Sequence, residues 1–422
     1  MLKDKTIVLG VCGGIAAYKS VELLRLMKKS GANVKVVMTR SAMEFVGETT
    51  FRVLSENDVL TTLFDSKGLF NSKDASVRHI EWASEADAVV IAPATANMIG
   101  KLANGIADDP LSTMMMAVTV PVIICPSMNT HMYENRALQR NLDTLEQDGM
   151  FILEPGTGEL ACKTRGAGRL PEPELIFDRL VKIFCPKDLK DKKILISAGP
   201  TRESIDPVRY ISNHSSGKMG YAVAEAAEKR GGAVTLVSGR VSIVPPFGVN
   251  LIQIESAIEM ADAMLEQMEN ADIIIKVAAV ADYRPLVSYK DKIKKQDNPL
   301  SSPDDGTEGS HDKPVVSLSI ELTENPDILK MLGKRKKTNQ FLAGFAAETQ
   351  NLDVHAVAKM EKKNLDMIVG NIVGVKGSGF EADTNKVKLF FRDGTINDLP
   401  MMDKLQVAHR LLDNIIARVV KV

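Results

Sequence analysis

The sequence predicts an α/β protein made of two doubly wound, Rossmann-like domains in tandem. A strand–glycine–helix pattern occurs twice: residues 6–9 form an apolar run that leads to Gly13 and Gly14, and residues 194–196 form an apolar run that leads to Gly199. A helical pattern and a second strand follow each run. A strand that passes through glycines into a helix is the phosphate-accepting turn of nucleotide-binding folds. Two such units predict two separate active sites on one chain.

Length and composition are those of an ordinary soluble globular protein. The chain has 422 residues, 45% of them hydrophobic and 25% charged, with a formal net charge of −1. This length suits two domains, and the balanced charge with only 5% aromatic residues argues against nucleic acid or an anionic membrane as a partner. The four cysteines include no Cys-x-x-Cys pair, so a structural zinc site is not expected. The absence of a signal-peptide pattern and of a long apolar run predicts a cytoplasmic protein.

Strand and helix patterns alternate along the first half of the chain. Residues 34–38, 88–92 and 122–125 are short apolar runs, which indicate strands buried on both faces. The helical pattern after Gly14 carries one apolar stripe, formed by Val21, Leu23, Leu24 and Met27. The alternation predicts a parallel sheet covered by helices.

The second half follows the same plan after a charged, proline-bearing junction at residues 185–193, so we place the domains at residues 1–187 and 188–422. An alternating run at residues 386–391 that meets Asp393-Gly394 predicts a hairpin, and the tail predicts a closing amphipathic helix. Residues 297–313 are almost free of apolar side chains and predict a mobile loop. The other strands of this half are predicted at residues 194–197, 234–237, 273–277, 341–345 and 367–369.

Small and polar residues follow the predicted strands of the first domain. Residues 93–97 come after one strand, residues 126–129 come after the next, and His79 precedes the first of these two strands. In open α/β folds ligands bind at the carboxyl ends of the strands. The glycine turn lacks the Gly-x-Gly-x-x-Gly spacing, so a mononucleotide with one terminal phosphate fits better than a dinucleotide. Taken singly, each of these residues is also explained by a structural role.

Cys162 lies in a glycine- and charge-rich stretch, residues 158–169, which predicts a loop rather than a helix or strand. Nearby cations in an exposed loop favour a reactive thiolate. An incidental loop thiol explains the same residues, and the pattern does not separate the two interpretations.

The most specific stretch of the second domain is residues 206–220, which is dense in hydroxyls, amides and glycines and runs into a helix. Such loops wrap phosphates, although the spacing is not that of a Walker A loop. A cationic cluster begins at Lys292, and Lys359, Lys362 and Lys363 form another on a helical pattern. Two basic groups around one sheet edge suit a triphosphate.

Three segments together resemble the signatures of the flavin-dependent cysteine decarboxylase family: His79-Ile80, residues 126–132 and residues 160–162. From residue 6 to the last helix, the chain resembles the bifunctional bacterial coenzyme A biosynthesis enzymes. In that family a phosphopantothenoylcysteine decarboxylase is fused to a phosphopantothenate–cysteine ligase. The resemblance implies a flavodoxin-like, FMN-dependent first domain and a CTP-dependent ligase as the second.

For the first domain, the resemblance implies that His79 is the base of the oxidation and decarboxylation steps, that Asn129 holds the substrate carboxylate, and that Cys162 is the acid of the final reduction. Oxidation of the substrate thiol to a thioaldehyde creates an electron sink, which lets CO₂ leave. The matching residues for FMN are Gly14, Ile15, Thr39, Thr95, Asn97 and Ser112.

The sequence departs from the family pattern at three positions. The family usually has Leu three residues and Trp six residues after the histidine, where this chain has Trp82 and Glu85. The family glycine after the cysteine is Lys163 here. All three changes leave the reacting side chains in place. If they have an effect, we expect it to be on the flap or on the surroundings of the flavin.

For the second domain, the resemblance implies activation of the 4′-phosphopantothenate carboxylate by CTP as an acyl-cytidylate, followed by attack of the cysteine amine. Asn213 is expected to contact the acyl-cytidylate together with Arg209, and Lys292 to act in the amide-forming step. Mg²⁺ or Mn²⁺ is expected to offset phosphate charge, with metal ligands unknown. The residues expected around CTP are Ala278, Asp282, Pro326, Asp327, Ile328, Leu329, Phe345, Lys359 and Lys363.

The family also implies a homo-oligomer, up to a dodecamer, with trimeric flavin domains and dimeric ligase domains. Two other functions are compatible with an α/β nucleotide-binding fold. A non-catalytic flavoprotein regulator predicts loss of the reacting side chains, yet His79, Asn129 and Cys162 are present. An NAD-dependent dehydrogenase requires the dinucleotide fingerprint, which is missing.

Overall fold

A computed structural model describes residues 2–64, 77–159, 165–294, 318–348, 352–372, 379 and 382–419. The chain divides into two units, Met1–Cys185 and Pro186–Val422. Cys162, Lys163 and the loop predicted at residues 297–313 lie outside the described residues. In the described part of the chain, no helix has both the length and the apolar character needed to span a bilayer.

The first unit contains one parallel sheet, a short antiparallel ribbon and eight α-helices among its described residues. The sheet strands are β1 (Thr6–Val11), β2 (Asn33–Met38), β3 (Val59–Leu60), β4 (Ala88–Ala94), β5 (Val122–Pro126) and β6 (Phe151–Ile152), and the ribbon is formed by β7 (Gly156–Glu159) and β8 (Arg165–Arg169). The helices are α1 (Ala17–Lys29), α2 (Glu48–Ser55), α3 (Arg78–Glu85), α4 (Ala96–Ala103), α5 (Pro110–Met115), α6 (Thr130–Tyr133), α7 (Arg136–Gln147) and α8 (Pro173–Phe184), with a 3₁₀ turn at Arg40–Glu44.

The sheet of the first unit has the strand order β3-β2-β1-β4-β5-β6, and all its pairs are parallel. Apart from the two-residue edge strand β3, the strands taken in chain order have the order 2-1-3-4-5, which is the order of flavodoxin. The predicted doubly wound, Rossmann-like class is confirmed. The ribbon corrects the prediction of a loop for residues 158–169, because strands flank Cys162 on both sides.

Burial explains why the main strands of the first sheet could be predicted from the sequence. All residues of β4 are buried, since helices cover both faces of the sheet. On one face Leu23, Leu24 and Met27 of α1 pack in a cluster with residues of α8, and this confirms the predicted stripe. On the other face the cluster includes Trp82 of α3 and Leu111 of α5.

The second unit contains an eight-stranded sheet and two small antiparallel sheets among its described residues. The strands are β9 (Lys193–Ala198), β10 (Arg202–Ser204), β11 (Tyr210–Ser212), β12 (Ala233–Ser238), β13 (Asn250–Gln253), β14 (Ile273–Lys276), β15 (Tyr283–Pro285), β16 (Leu322–Glu324), β17 (Phe341–Glu348), β18 (Met367–Ile372), β19 (Thr384–Phe391) and β20 (Ile396–Asp403). The helices are α9 (Lys218–Lys229), α10 (Ala257–Gln267), α11 (Ile328–Arg335), α12 (Leu352–Lys362) and α13 (Lys404–Val419), with a 3₁₀ turn at Met268–Asn270.

The large sheet has the order β13-β12-β9-β14-β17-β18-β19-β20. Its first six strands are parallel, and β19 and β20 are added antiparallel through the predicted hairpin, where Gly394 has a φ of +82°. Helices α9 and α13 cover one face, and α10, α11 and α12 cover the other. One expectation is corrected: β10 pairs with β11, so the polar stretch at residues 206–220 is not entirely loop.

A buried arginine joins three segments of the second unit. The side chain of Arg230, at the end of α9, is only 2% exposed. It donates to both carboxylate oxygens of Asp188, at 2.8 and 2.5 Å, and to Asp413 of α13 at 2.7 Å. The Arg230 hydrogen bond holds the pKa of Asp188 below its usual value. The pKa of the neighbouring His409 is lowered to about 4 by burial and by the charge of Arg230.

We predict that Arg230→Ala lowers the free energy of unfolding of the second unit by about 2–4 kcal/mol, because a buried guanidinium loses two carboxylate partners and leaves a void. Arg240→Ala is the matched control, since Arg240 is 58% exposed and meets Glu255 at 3.6 Å; we expect it to cost about 0–1 kcal/mol. Urea unfolding of the full chain measures both variants, and equal losses would contradict the assigned role.

Candidate active sites

The turns that follow β1, β4 and β5 in the first unit are joined by backbone hydrogen bonds. The Cys12 N–H donates to the carbonyl of Pro93 at 3.2 Å, and the Ser127 N–H donates to the carbonyl of Ala94 at 3.0 Å. The Thr39 N–H donates to the carbonyl of Val11 at 3.0 Å. The turns that carry the predicted flavin-binding and substrate-binding residues therefore meet at one edge of the sheet.

The two glycines of the first turn have different functions. A Cβ on Gly13 would lie 2.3 Å from the Cβ of Ser41, so only glycine permits this packing. A Cβ on Gly14 would meet nothing within 4 Å, and the next side chain, Ile15, is 62% exposed. The open space beside Gly14, where the chain enters α1, is the part of this turn that can accept a ligand.

Three buried polar atoms of the first unit have no hydrogen-bond partner among the described residues: Thr39 Oγ1, His79 Nδ1 and Thr130 Oγ1. An unsatisfied buried polar group costs about 1–3 kcal/mol. Such a group is expected where a ligand supplies the missing partner. Thr39 and His79 were both predicted as site residues, whereas Thr130, which follows Asn129 directly, was not.

Three of the predicted side chains also bind backbone at helix starts. Thr95 accepts from the Met98 N–H at 3.4 Å, and Asn129 accepts from the His131 N–H at 2.9 Å. The Ser112 hydroxyl accepts from the Asp109 N–H at 3.1 Å and is 1% exposed. This capping box gives Ser112 a structural role in α5, independent of any flavin.

Two of the departures from the family pattern are explained by packing against one lysine. Trp82 is 6% exposed, and the Nζ of Lys35 lies 5.2 Å from its ring centroid. Glu85, one turn further along α3, forms an ion pair with the same lysine. In α3 the buried tryptophan therefore lies one turn earlier than in the family pattern. The position that the family gives to tryptophan holds Glu85, which forms a salt bridge at the end of the helix.

The ribbon β7–β8 is fixed to the Asn129 turn. The Met128 N–H donates to the carbonyl of Gly168 at 2.9 Å, and a Cβ on Gly168 would lie 2.2 Å from the Met128 carbonyl oxygen. Gly168 has a φ of +134°, which favours glycine. The strands that flank Cys162 are thus anchored beside Asn129.

The second unit has a cavity of about 770 Å³ at the carboxyl edge of its sheet. Asn213 and all the residues that the sequence predicted around CTP lie in its lining: Ala278, Asp282, Pro326, Asp327, Ile328, Leu329, Phe345, Lys359 and Lys363. A cavity of this size is typical of a small-molecule site. The structure thus brings together residues that are up to 150 positions apart, from Asn213 to Lys363.

Arg209 and Lys292 lie outside this lining and close to each other. The buried carboxylate of Asp206 accepts from the backbone N–H groups of Arg209, at 2.9 Å, and of Ile293, at 3.2 Å. The Arg209 guanidinium donates to the carbonyl of Ile293 at 3.4 Å. Asp206, which sequence reasoning missed, is therefore the residue that joins the two predicted cationic segments.

Comparison with known proteins identifies the family. Residues 1–184 match the flavoprotein family, and residues 189–419 match the family described as DNA/pantothenate metabolism flavoprotein C-terminal domain. The coenzyme A biosynthesis bifunctional protein CoaBC of Bacillus subtilis (strain 168) is 46% identical over 421 residues, which are 99% of this chain and 98% of that protein. The chain belongs to the coenzyme A biosynthesis bifunctional protein family.

Other members show the same full-length similarity. CoaBC of Escherichia coli (strain K12) is 42% identical over 418 residues, which are 99% of this chain and 98% of that protein. A crystal structure of the C-terminal domain of a CoaBC protein is 39% identical to this chain, with a TM-score of 0.45; it covers 56% of this chain and 100% of the solved one. The predicted family and the predicted bifunctional enzyme of coenzyme A biosynthesis, with a flavoprotein domain, are confirmed.

The cavity of this family member contains three lysines that sequence reasoning did not assign to it: Lys218, Lys276 and Lys404. Lys276 is the last residue of the apolar strand β14. A charged residue at the end of a buried apolar run is a sequence signal that could have predicted a site residue here. Its Nζ donates to the carbonyl of Ala278 at 2.8 Å. Burial, followed by the charges of Lys359 and Lys363, lowers the pKa of Lys276 to about 8. Among the described residues, no group of three or more His, Cys, Asp or Glu is placed to hold a metal.

We predict that Lys276→Met raises the free energy of unfolding at pH 7 by about 1–3 kcal/mol, because a charged amine is removed from a site that penalises it. The native state binds fewer protons than the unfolded chain between about pH 8 and the ordinary lysine pKa of 10.5, so wild-type stability rises with pH across that window. The gain in the variant should therefore shrink at pH 9.5. Urea unfolding at both pH values measures it, with the exposed Lys334→Met as control; a pH-independent gain would contradict this origin.

Proposed function

We propose that the second unit joins 4′-phosphopantothenate to cysteine with CTP, through an acyl-cytidylate, and that the first unit decarboxylates the product, phosphopantothenoylcysteine, to 4′-phosphopantetheine with FMN. Full-length membership of the coenzyme A biosynthesis bifunctional family supports this division. The single structural observation that carries the ligase assignment is the cavity in which the residues expected around CTP come together.

In the ligase reaction the carboxylate must first gain a leaving group, because a free carboxylate is a poor electrophile. Lys359 and Lys363 supply positive charge for a nucleotide at the cavity wall, and Asp327 holds Lys363 through a 2.8 Å ion pair. Mg²⁺ binds through phosphates and one or two carboxylates, and Asp282 offers a carboxylate in the lining. We assign contact with the acyl-cytidylate to Asn213 together with Arg209, and a role in the amide-forming step to Lys292.

In the decarboxylase reaction FMN supplies reversible two-electron oxidation of the substrate thiol. Gly14, Ile15, Thr39, Thr95 and Asn97 would hold it, and the unpartnered hydroxyl of Thr39 fits a hydrogen bond to such a ligand. The buried Nδ1 of His79 lacks a hydrogen-bond partner among the described residues, which fits a role in moving a proton at that atom. Asn129 orients the substrate carboxylate, and Cys162 returns a proton to the decarboxylated product.

We also propose that the protein is a cytoplasmic homo-oligomer, with dimeric second units and trimeric first units. The exposed side chains of Tyr210, Tyr283 and Leu322 support self-association of the second unit, because they stand on its two small sheets and are 48–50% exposed. Sedimentation velocity of the full chain tests this assembly, and a monomer would contradict it.

One assay tests both reactions. The purified protein should be yellow, and it should release pyrophosphate from CTP only when phosphopantothenate is present and CMP only when cysteine is added as well. CO₂ and 4′-phosphopantetheine should then appear. A yellow protein that consumes no CTP would support a non-catalytic flavoprotein, and reduction of NAD would support a dehydrogenase.

We predict that Cys162→Ser stops 4′-phosphopantetheine formation and leaves an oxidised, decarboxylated intermediate, because serine is a far weaker acid than cysteine. CMP release by the second unit should continue at the wild-type rate and serves as the internal control. Mass spectrometry of the products measures both, and an undiminished yield of 4′-phosphopantetheine would remove Cys162 from the mechanism.

We predict that Lys292→Gln slows amide formation about 100-fold while pyrophosphate release from a single turnover persists, so that acyl-cytidylate accumulates. Lys290→Gln, two residues earlier in the same exposed segment, is the control and should be close to wild type. Quenched-flow analysis of CTP, acyl-cytidylate and CMP distinguishes the steps. A parallel loss of both half-reactions would argue for a binding role instead.

A further inference from the structure

The cavity of the second unit has positive charge on two sides, from opposite helical layers. Lys363 and Lys359 come from the layer of α11 and α12 and were predicted from the sequence. Lys218 is the first residue of α9, and Lys404 is the first residue of α13, the two helices that cover the other face. All four lysines lie in the lining.

On this second side Lys404 is buried and hydrogen-bonded. The residue is 5% exposed, and its Nζ donates to the carbonyl of Gly379 at 3.1 Å. The amide-bearing residues Asn371 and Asn385, 9% and 2% exposed, lie in the same lining. They stand at the end of β18 and near the start of β19, which meet at the carboxyl edge of the sheet. Two ammonium groups and two amides therefore converge at one end of the cavity.

The electrostatics of this end favour an added anion. Burial, together with the positive charge of Lys218, lowers the pKa of Lys404 to about 8, and Asp383 offsets this only in part. Asp383 binds Lys218 at 2.6 Å, but its side chain is 87% exposed and it is not among the lining residues. At the other end, Asp282 and Asp327 lie in the lining and reduce the positive charge of Lys359 and Lys363.

We propose that Lys404 and Lys218, with the amides of Asn371 and Asn385, form a subsite for the pyrophosphate portion of the nucleoside triphosphate. This inference rests on the proposed ligase function and deepens it. In the activation step a carboxylate oxygen attacks the α-phosphorus, the bond from that phosphorus to the bridging β-oxygen breaks, and its electron pair leaves with pyrophosphate. The two ammonium groups stabilise the charge that develops on this leaving group.

The arrangement also explains why the C-terminal hairpin and helix belong to the catalytic unit. The strands β19 and β20 extend the sheet beyond its parallel part, and β20 ends at the edge where α13 begins. The terminal segment thereby delivers Lys404 to a cavity whose other lining residues lie between Gly199 and Asn385.

The test is binding of inorganic pyrophosphate, CMP and 4′-phosphopantothenate to the full chain, each measured by calorimetry with Mg²⁺ present. Lys404→Gln should weaken pyrophosphate binding about 10- to 100-fold, the effect of one lost charge-assisted hydrogen bond. It should leave the CMP and phosphopantothenate affinities within about 2-fold. Lys218→Gln, in a more exposed position, should reproduce the result if Lys404→Gln folds poorly. Lys388→Gln is the control, because Lys388 lies on β19 and pairs with Asp353 at 3.1 Å away from the lining.

The other possible outcomes contradict the proposal. Unchanged pyrophosphate affinity in both variants shows that the two lysines do not bind the leaving group. A selective loss of phosphopantothenate affinity assigns the lysines to the substrate phosphate. Failure of the wild type to bind CMP and 4′-phosphopantothenate contradicts the proposed function itself, whereas the pyrophosphate affinities of the variants and the wild type test the subsite independently of it.

Discussion

The concentration of like charge at one sheet edge is the constraint on which the second unit depends. Five lysines and two aspartates lie in the described lining of its cavity: Lys218, Lys276, Lys359, Lys363, Lys404, Asp282 and Asp327. Burying these ammonium groups, and holding them close to one another, costs stability, and both effects lower the pKa values of Lys276 and Lys404. An apolar cluster on each face of the sheet and the buried Arg230 hold the surrounding helices in place despite this repulsion.

The first unit has a different constraint, which is close approach of backbone segments. Gly13 lies against Ser41 and Gly168 against Met128, so the turns of the site pack with no room for a Cβ. In the same unit the polar atoms Thr39 Oγ1 and His79 Nδ1 are buried without partners among the described residues. The stability lost there is consistent with a site that is completed by its ligand.

The strands buried on both faces were predictable, since an apolar run such as residues 88–92 has few alternatives. The ribbon β7–β8 was not, because glycine-rich segments form strands only when a partner is present. The strands β3, β6 and β13 were not either, because two to four residues are too few to show a periodicity. The cavity residues that match a family motif were also predictable. Lys404 was not, because it reaches the cavity only through the fold and lies 186 positions after Lys218 in the sequence. Asp206 was missed for the same reason: its role lies in contacts with the backbone of Ile293.

One strand plan supports two chemistries because the carboxyl edge is lined differently in each unit. In the first unit the turns at residues 12–16, 93–97 and 126–129 contain no charged side chain. Backbone groups, hydroxyls and amides suit a flavin, whose reacting ring is neutral and whose charge is limited to one phosphate. In the second unit lysines from both helical layers line the cavity, and such a lining suits a polyphosphate. The two units therefore share a sheet topology and differ in the charge of the side chains at its carboxyl edge.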